Sequence, residues 1–96
     1  MKATVIDRFG GRNELVMREI PVPRPNDNEV LIQVRAAGVN PVDWKIREGK
    51  LASRLPHRFP LIPGWDAAGV VEQIGAGVTL FHEGDAVYAY CRKPIV

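Results

Sequence analysis

The stretch Glu29-Val30-Leu31-Ile32-Gln33-Val34-Arg35-Ala36-Ala37-Gly38-Val39-Asn40-Pro41-Val42-Asp43 decides the fold, because its periodicity changes partway along. Over residues 29–37 apolar and β-branched side chains alternate. Val30, Ile32 and Val34 share one face and Leu31, Gln33 and Arg35 the other, which predicts a barrel or sandwich strand. At Asn40 the pattern turns helical: Asn suits the cap, Pro41 the first helical position, and Asp43 the positive end of the helix dipole. Gly49 ends this short helix. Val42 and Ile46 lie one turn apart, and Asp43 and Arg47 form a second such pair on another face, so a salt bridge between the last two is expected.

Working outward, residues 3–7 and 15–20 have the alternation of strands, and the proline-rich run 21–28 is a surface connection between strands. Residues 51–64, with three prolines, two arginines and His57, are expected to form an irregular loop. Strand signals resume over 69–74, turn through Gly75-Ala76-Gly77, and return over 85–90. That glycine turn mimics a dinucleotide loop, but Leu80 stands at the third glycine position and another strand follows where a helix should. It is read as a β-turn whose glycines supply positive φ or close turns. Tyr88 and Tyr90 point to one face of the last strand, either as core residues, the favoured reading, or as part of a pocket floor. Short strands with one short helix predict a small, mainly β, barrel-like domain.

Composition narrows the function classes. The chain has 96 residues, enough for one domain, and its single cysteine, Cys91, cannot close an internal disulfide, which points to a reducing, cytoplasmic setting. Thirteen basic and eleven acidic residues are interspersed and give a net charge of +2, so neither a nucleic-acid interface nor a membrane-binding patch is expected. No apolar run of about 18 residues is present. The chain ends on Pro94-Ile95-Val96 directly after a strand, and is expected to be cut short at that end.

A family resemblance rests on motifs that follow one another along nearly the whole chain. They are the opening Met-Lys-Ala strand, Glu29-Val30-Leu31-Ile32-Gln33-Val34, Ala37-Gly38-Val39-Asn40-Pro41-Val42-Asp43, Phe59-Pro60-Leu61-Ile62-Pro63-Gly64-Trp65-Asp66-Ala67-Ala68-Gly69-Val70-Val71 and Gly84-Asp85-Ala86-Val87-Tyr88. The chain resembles the medium-chain dehydrogenase/reductase superfamily, and within it the zinc-independent quinone-oxidoreductase branch. The resemblance implies that residues 1–96 are the N-terminal part of a GroES-like catalytic domain, a partly open β-barrel with one short helix that is incomplete at its C-terminal side. The Rossmann domain that supplies most nicotinamide contacts would lie outside the chain.

Asn40 is the first candidate site residue. A capping Asn accepts through its side-chain oxygen and keeps its amide hydrogens for another partner, so it serves either as a helix cap alone or also as a donor to a carbonyl. The family places an Asn at this motif beside the nicotinamide, which implies a catalytic and cofactor-binding role. Trp44 either forms an apolar wall of the substrate pocket or packs in the core, and Trp65 would help shape the cleft. Arg47 reaches cofactor phosphate or pairs with Asp43.

No metal is expected. Zinc-dependent relatives carry Cys where this chain has Asn40 and His where it has Trp65, and His57 and His82 have no closely spaced ligand partners. The resemblance therefore implies part of an NADPH- or NADH-dependent oxidoreductase acting on quinones, enones or related carbonyls, inactive alone. The rival expectation is a stand-alone GroES-like module that binds a partner or associates with itself through an exposed strand edge.

Overall fold

A computed structural model of the chain describes residues 1–53 and 58–91. Among the described residues it is mainly sheet, with strands β1 (Lys2–Val5), β2 (Val16–Glu19), β3 (Val30–Ala36), β4 (Asp66–Ile74) and β5 (Ala86–Tyr90), one α-helix, α1 (Pro41–Arg47), and a single 3-10 turn at Arg12–Glu14. The strands form a two-stranded sheet and a three-stranded sheet, and among the described residues neither closes into a barrel. His57 and the terminal Pro94-Ile95-Val96, which entered the sequence expectations, lie outside the described residues.

The chain divides into two compact units. The first draws on Met1–Pro21 and Val39–Trp65, the second on Val22–Gly38 and Asp66–Cys91.

In the first unit β1 and β2 pair antiparallel, from Lys2 opposite Glu19 to Val5 opposite Val16. β1 ends two residues earlier than its alternation suggests, because Ile6 leaves β2 and forms an isolated bridge with Leu61, each N–H donating to the other's carbonyl at 2.9 Å. Ile6, Leu61 and Ile46 of α1 are buried together, and Phe9, Val42, Leu51 and Trp65 pack around them. Thus the loop expected over 51–64 contains a core residue. The proline-rich context hides Leu61 from any periodicity test, since a single bridge has no period.

In the second unit β3, β4 and β5 form an antiparallel meander. The uninterrupted alternation expected of β3 is broken by register shifts between Leu31 and Ile32 and between Val34 and Ala36, and Val34 is exposed. A shift that inserts a residue moves later side chains off the face a strict period of two would give them. Gly75 begins the β4–β5 connection as expected, and what it supplies is close approach. Its N–H donates to the Glu29 carbonyl at 2.8 Å, and a Cβ there would run into the carbonyl oxygens of Asn26 and Asp27.

Candidate active site at the Asn40 helix cap

The local sequence sets this site. Asn40 takes an extended conformation (φ −124°, ψ 157°) and caps α1, with Pro41 in the first turn. The Asp43 carboxylate accepts from the Asn40 backbone N–H at 3.0 Å and the Asn40 side chain accepts from the Asp43 backbone N–H, so residues 40 and 43 form a capping box; the Asp43 N–H also donates to the Asn40 carbonyl at 2.9 Å. Asn40 and Asp43 are both half-buried. The second carboxylate oxygen, Asp43 Oδ1, is buried with no hydrogen-bond partner among the described residues, an arrangement that costs about 1–3 kcal/mol for an ordinary polar group.

Arg47 does not pair with Asp43. Its Nε donates to the Gly10 carbonyl at 3.2 Å and its Nη2 to Glu48 Oε2 at 3.3 Å, while the Gly10 N–H donates to the Arg47 carbonyl at 2.9 Å. The exchange with Gly10 ties the end of α1 to the segment after β1, and a sequence of i,i+4 pairs cannot anticipate a partner 37 residues away. A phosphate reaching Arg47 has to compete with these partners.

Trp44 is 40% exposed, and cations flank its ring: Lys50 Nζ lies 4.9 Å and Lys45 Nζ 5.7 Å from the ring centroid. It is therefore not a core residue, and Lys45 and Lys50 are its neighbours. Trp65 is half-buried against the core of Ile6, Ile46 and Leu61, so it and α1 rest on a common base. The four candidates Asn40, Trp44, Arg47 and Trp65 all fall in the first unit. Three share one helix and its cap, and the fourth joins them through the core.

Tyr88 and Tyr90 are not core residues, contrary to the favoured expectation: they are 90% and 62% exposed. With Ala36, Ala68 and Asp66 they line a shallow groove of about 390 Å³ on the second unit. Alternation placed both rings on one face, but could not say that nothing described covers that face. Cys91, just beyond, is exposed. Among the described residues no three His, Cys, Asp or Glu side chains gather into a metal-binding group, and no described helix is long and apolar enough to cross a membrane.

Comparison with known proteins places the chain among relatives. Residues 26–94 match the alcohol dehydrogenase GroES-like domain. The chain is 48% identical over 80 residues to a protein named quinone-oxidoreductase homolog, chloroplastic, of Spinacia oleracea, covering 83% of this chain and 24% of the relative. Among solved structures, it superimposes on Escherichia coli quinone oxidoreductase complexed with NADPH with a TM-score of 0.87 at 29% identity, covering 97% of this chain and 28% of that one. It also superimposes on a cobalt- and zinc-bound thermostable alcohol dehydrogenase from Pyrobaculum aerophilum, with a TM-score of 0.82 at 41% identity, covering 92% and 26%. The chain spans about a quarter of the length of the curated relatives it matches.

Proposed function

The chain belongs to the alcohol dehydrogenase GroES-like domain family, within the medium-chain dehydrogenase/reductase superfamily, and from that premise we propose that it is the catalytic-domain portion of a zinc-independent, NAD(P)H-dependent oxidoreductase acting on quinones, enones or related carbonyls. The nucleotide-binding Rossmann domain is proposed to lie outside this chain. The observation that carries this reading is Asn40, half-buried and fixed by a capping box at the start of a helix that rests on the first unit's core.

The residues present fit the ring end of a nicotinamide cofactor better than its phosphates. Asn40 offers an amide that matches a carboxamide or carbonyl, whereas the Nε and Nη2 donors of Arg47 are already engaged by Gly10 and Glu48. When bound, the nicotinamide supplies a hydride to the electrophilic carbon of the substrate. Asn40 donates its amide N–H to the oxygen on which negative charge grows, an interaction that strengthens toward the transition state. Trp44 and Trp65 exclude water from that oxygen and limit the poses a flat substrate can take. Arg47 contributes by anchoring α1 to Gly10, and any contact with cofactor phosphate is secondary to that. Cytoplasm is the proposed compartment, on the argument from a single unpaired cysteine.

A chimera tests this reading. Residues 1–96 replace the corresponding region of the spinach relative, and NADPH-dependent reduction of a quinone panel is measured with and without added zinc. Zinc-independent turnover is expected, with Asn40→Ala lowering kcat/KM by about 10²–10³. The 96-residue chain alone is expected to give no turnover. Full activity of the Asn40→Ala chimera, or a strict requirement for zinc, overturns the proposal.

The second reading, a self-associating module without catalysis, is favoured by one observation: among the described residues no strand lies on the outer side of β5.

A further inference from the structure

We propose that Trp44, Lys45 and Lys50 form a subsite for the negative group of a flat conjugated carbonyl, so that quinones and enones bearing a carboxylate or sulfonate bind ahead of uncharged ones. The proposal rests on the oxidoreductase reading and names the substrate class of the same site. Charge is the first observation. Residues 44–50 hold three cations, Lys45, Arg47 and Lys50, against one carboxylate, Glu48, an excess equal to the net charge of +2 on the whole chain. Glu48 is already shared: its Oε2 accepts from Arg47 Nη2 at 3.3 Å, and its Oε1 lies 3.8 Å from Lys50 Nζ. Among the described residues Lys45 has no carboxylate partner. Arg47 is half-buried and held to Gly10 as well, so the two lysines are the exposed part of the excess.

What the lysines rest on is an aromatic ring. Lys50 Nζ lies 4.9 Å and Lys45 Nζ 5.7 Å from the centroid of Trp44, both within cation–π range, so the indole gathers two ammonium groups at its side. Trp44 also stands four residues after Asn40. Positions four apart share one face of a helix and are separated by about 6 Å along its axis, so α1 carries its cap residue and its tryptophan in line. Ile46, on the other side, is buried in the core. The order is then amide, flat ring, positive charge, all within the first unit. A substrate with its reacting carbonyl at Asn40 runs its conjugated body along the indole and brings a distal substituent to the lysines. An anion there replaces a cation–π contact with a charge-assisted hydrogen bond, whereas an uncharged substituent displaces the ammonium groups without replacing what they lose. A cofactor phosphate would meet the same charges but make no use of the ring. Since the Lys50 side chain is 56% exposed, salt screens the attraction and the preference is modest.

NMR titration of the full chain with anthraquinone-2-carboxylate and with its uncharged carboxamide tests the subsite, because the two probes share one ring system. At low ionic strength the carboxylate should bind about three- to fivefold more tightly. It should move the Trp44 indole N–H resonance, which Trp44→Phe identifies by its loss. The double variant Lys45→Gln, Lys50→Gln should bring the carboxylate down to the affinity of the carboxamide, and so should salt at about 0.5 M. Both lysines are exposed, so these changes leave the core alone. Equal affinity for the two probes, binding of neither, or a preference that survives the double change overturns the proposal. In the spinach chimera the preference should lie in KM and not in kcat, since the charge contact is the same in the ground and transition states. A double variant that raises KM for NADPH and keeps the preference for the carboxylate assigns the lysines to cofactor phosphate and also overturns it. The two readings fail separately. A chimera that reduces both probes equally well removes the subsite alone, and one that reduces neither removes the oxidoreductase reading and the subsite's claim on substrate with it.

Discussion

Leu61 is the position where a single change should cost this chain most. It is 2% exposed, lies with Ile6 and Ile46 in a cluster of three buried side chains among the described residues, and supports Trp65 and α1 from beneath. Leu61→Ala removes three carbons from that cluster. Buried Leu→Ala changes cost about 2–5 kcal/mol as lost transfer energy plus the cavity left behind. With so few buried neighbours the site can partly collapse, which places the expected loss near the middle, about 3 kcal/mol. A chain of this length has about 5–14 kcal/mol to lose, and each kcal/mol lowers Tm by about 4–8 °C, so a drop of more than about 10 °C is expected. Urea and thermal unfolding followed by tryptophan fluorescence suits the test, since Trp65 packs on the same cluster. Leu80→Ala, at an 85% exposed position, is the control and should stay within about 0.5 kcal/mol. A Leu61→Ala protein as stable as the control would refute the claim that the loop supplies the core.

Three further outcomes are expected. Asp43→Ala removes the acceptor of the Asn40 N–H and should destabilise the chain by about 1 kcal/mol in urea unfolding, with loss of helical ellipticity. Gly75→Ala drives a Cβ into the Asn26 and Asp27 carbonyls and should cost about 1–3 kcal/mol, measured in the same way; wild-type stability would contradict the close approach. The two-pronged bond from Arg18 Nη1 and Nη2 to Asp7, at 2.7 and 2.6 Å, holds the Asp7 carboxyl below its ordinary value of 3.8. The sign follows: with the folded pKa depressed, the stabilisation is present above the unfolded pKa and is lost as pH falls through the folded one. Carboxyl titration by NMR should therefore show Asp7 returning to its ordinary range in Arg18→Gln.

Much of the site's framework was legible because it is local. Asn40, Pro41 and Asp43 specify a cap within four residues, and the structure builds that cap. Gly49 follows the helix end at φ +84°, and the strand patterns at β4 and β5 are realised within a few residues. What escaped was non-local or depended on which face is covered. The Ile6–Leu61 bridge joins segments 55 residues apart in sequence, and no pattern within either segment announces it. Arg47 had a plausible partner one turn back, yet the reciprocal bonds with Gly10 hold it. Alternation put Tyr88 and Tyr90 on a common face correctly and then left core and surface undecided, because period reports direction and burial depends on what packs against it.

These non-local contacts explain how a seven-residue helix could carry the proposed binding group at all. An isolated helix of that length is unstable in water, since the nucleation cost is spread over too few hydrogen bonds. Here α1 is held at three places: the capping box at Asn40 and Asp43, the Ile46 side chain buried with Ile6 and Leu61, and the Gly10–Arg47 exchange at its far end. Each constraint acts on a different part of the helix, so Asn40 is fixed by a frame that extends well beyond its own hydrogen bonds. Positioning of a donor within a fraction of an ångström requires such support. On this argument Arg47 and Leu61 bear on the proposed chemistry as positioning residues, and the order of effects in the chimera follows. Asn40→Ala should lower kcat most, and Leu61→Ala and Arg47→Ala should lower it by a smaller factor that persists at temperatures where the protein remains folded.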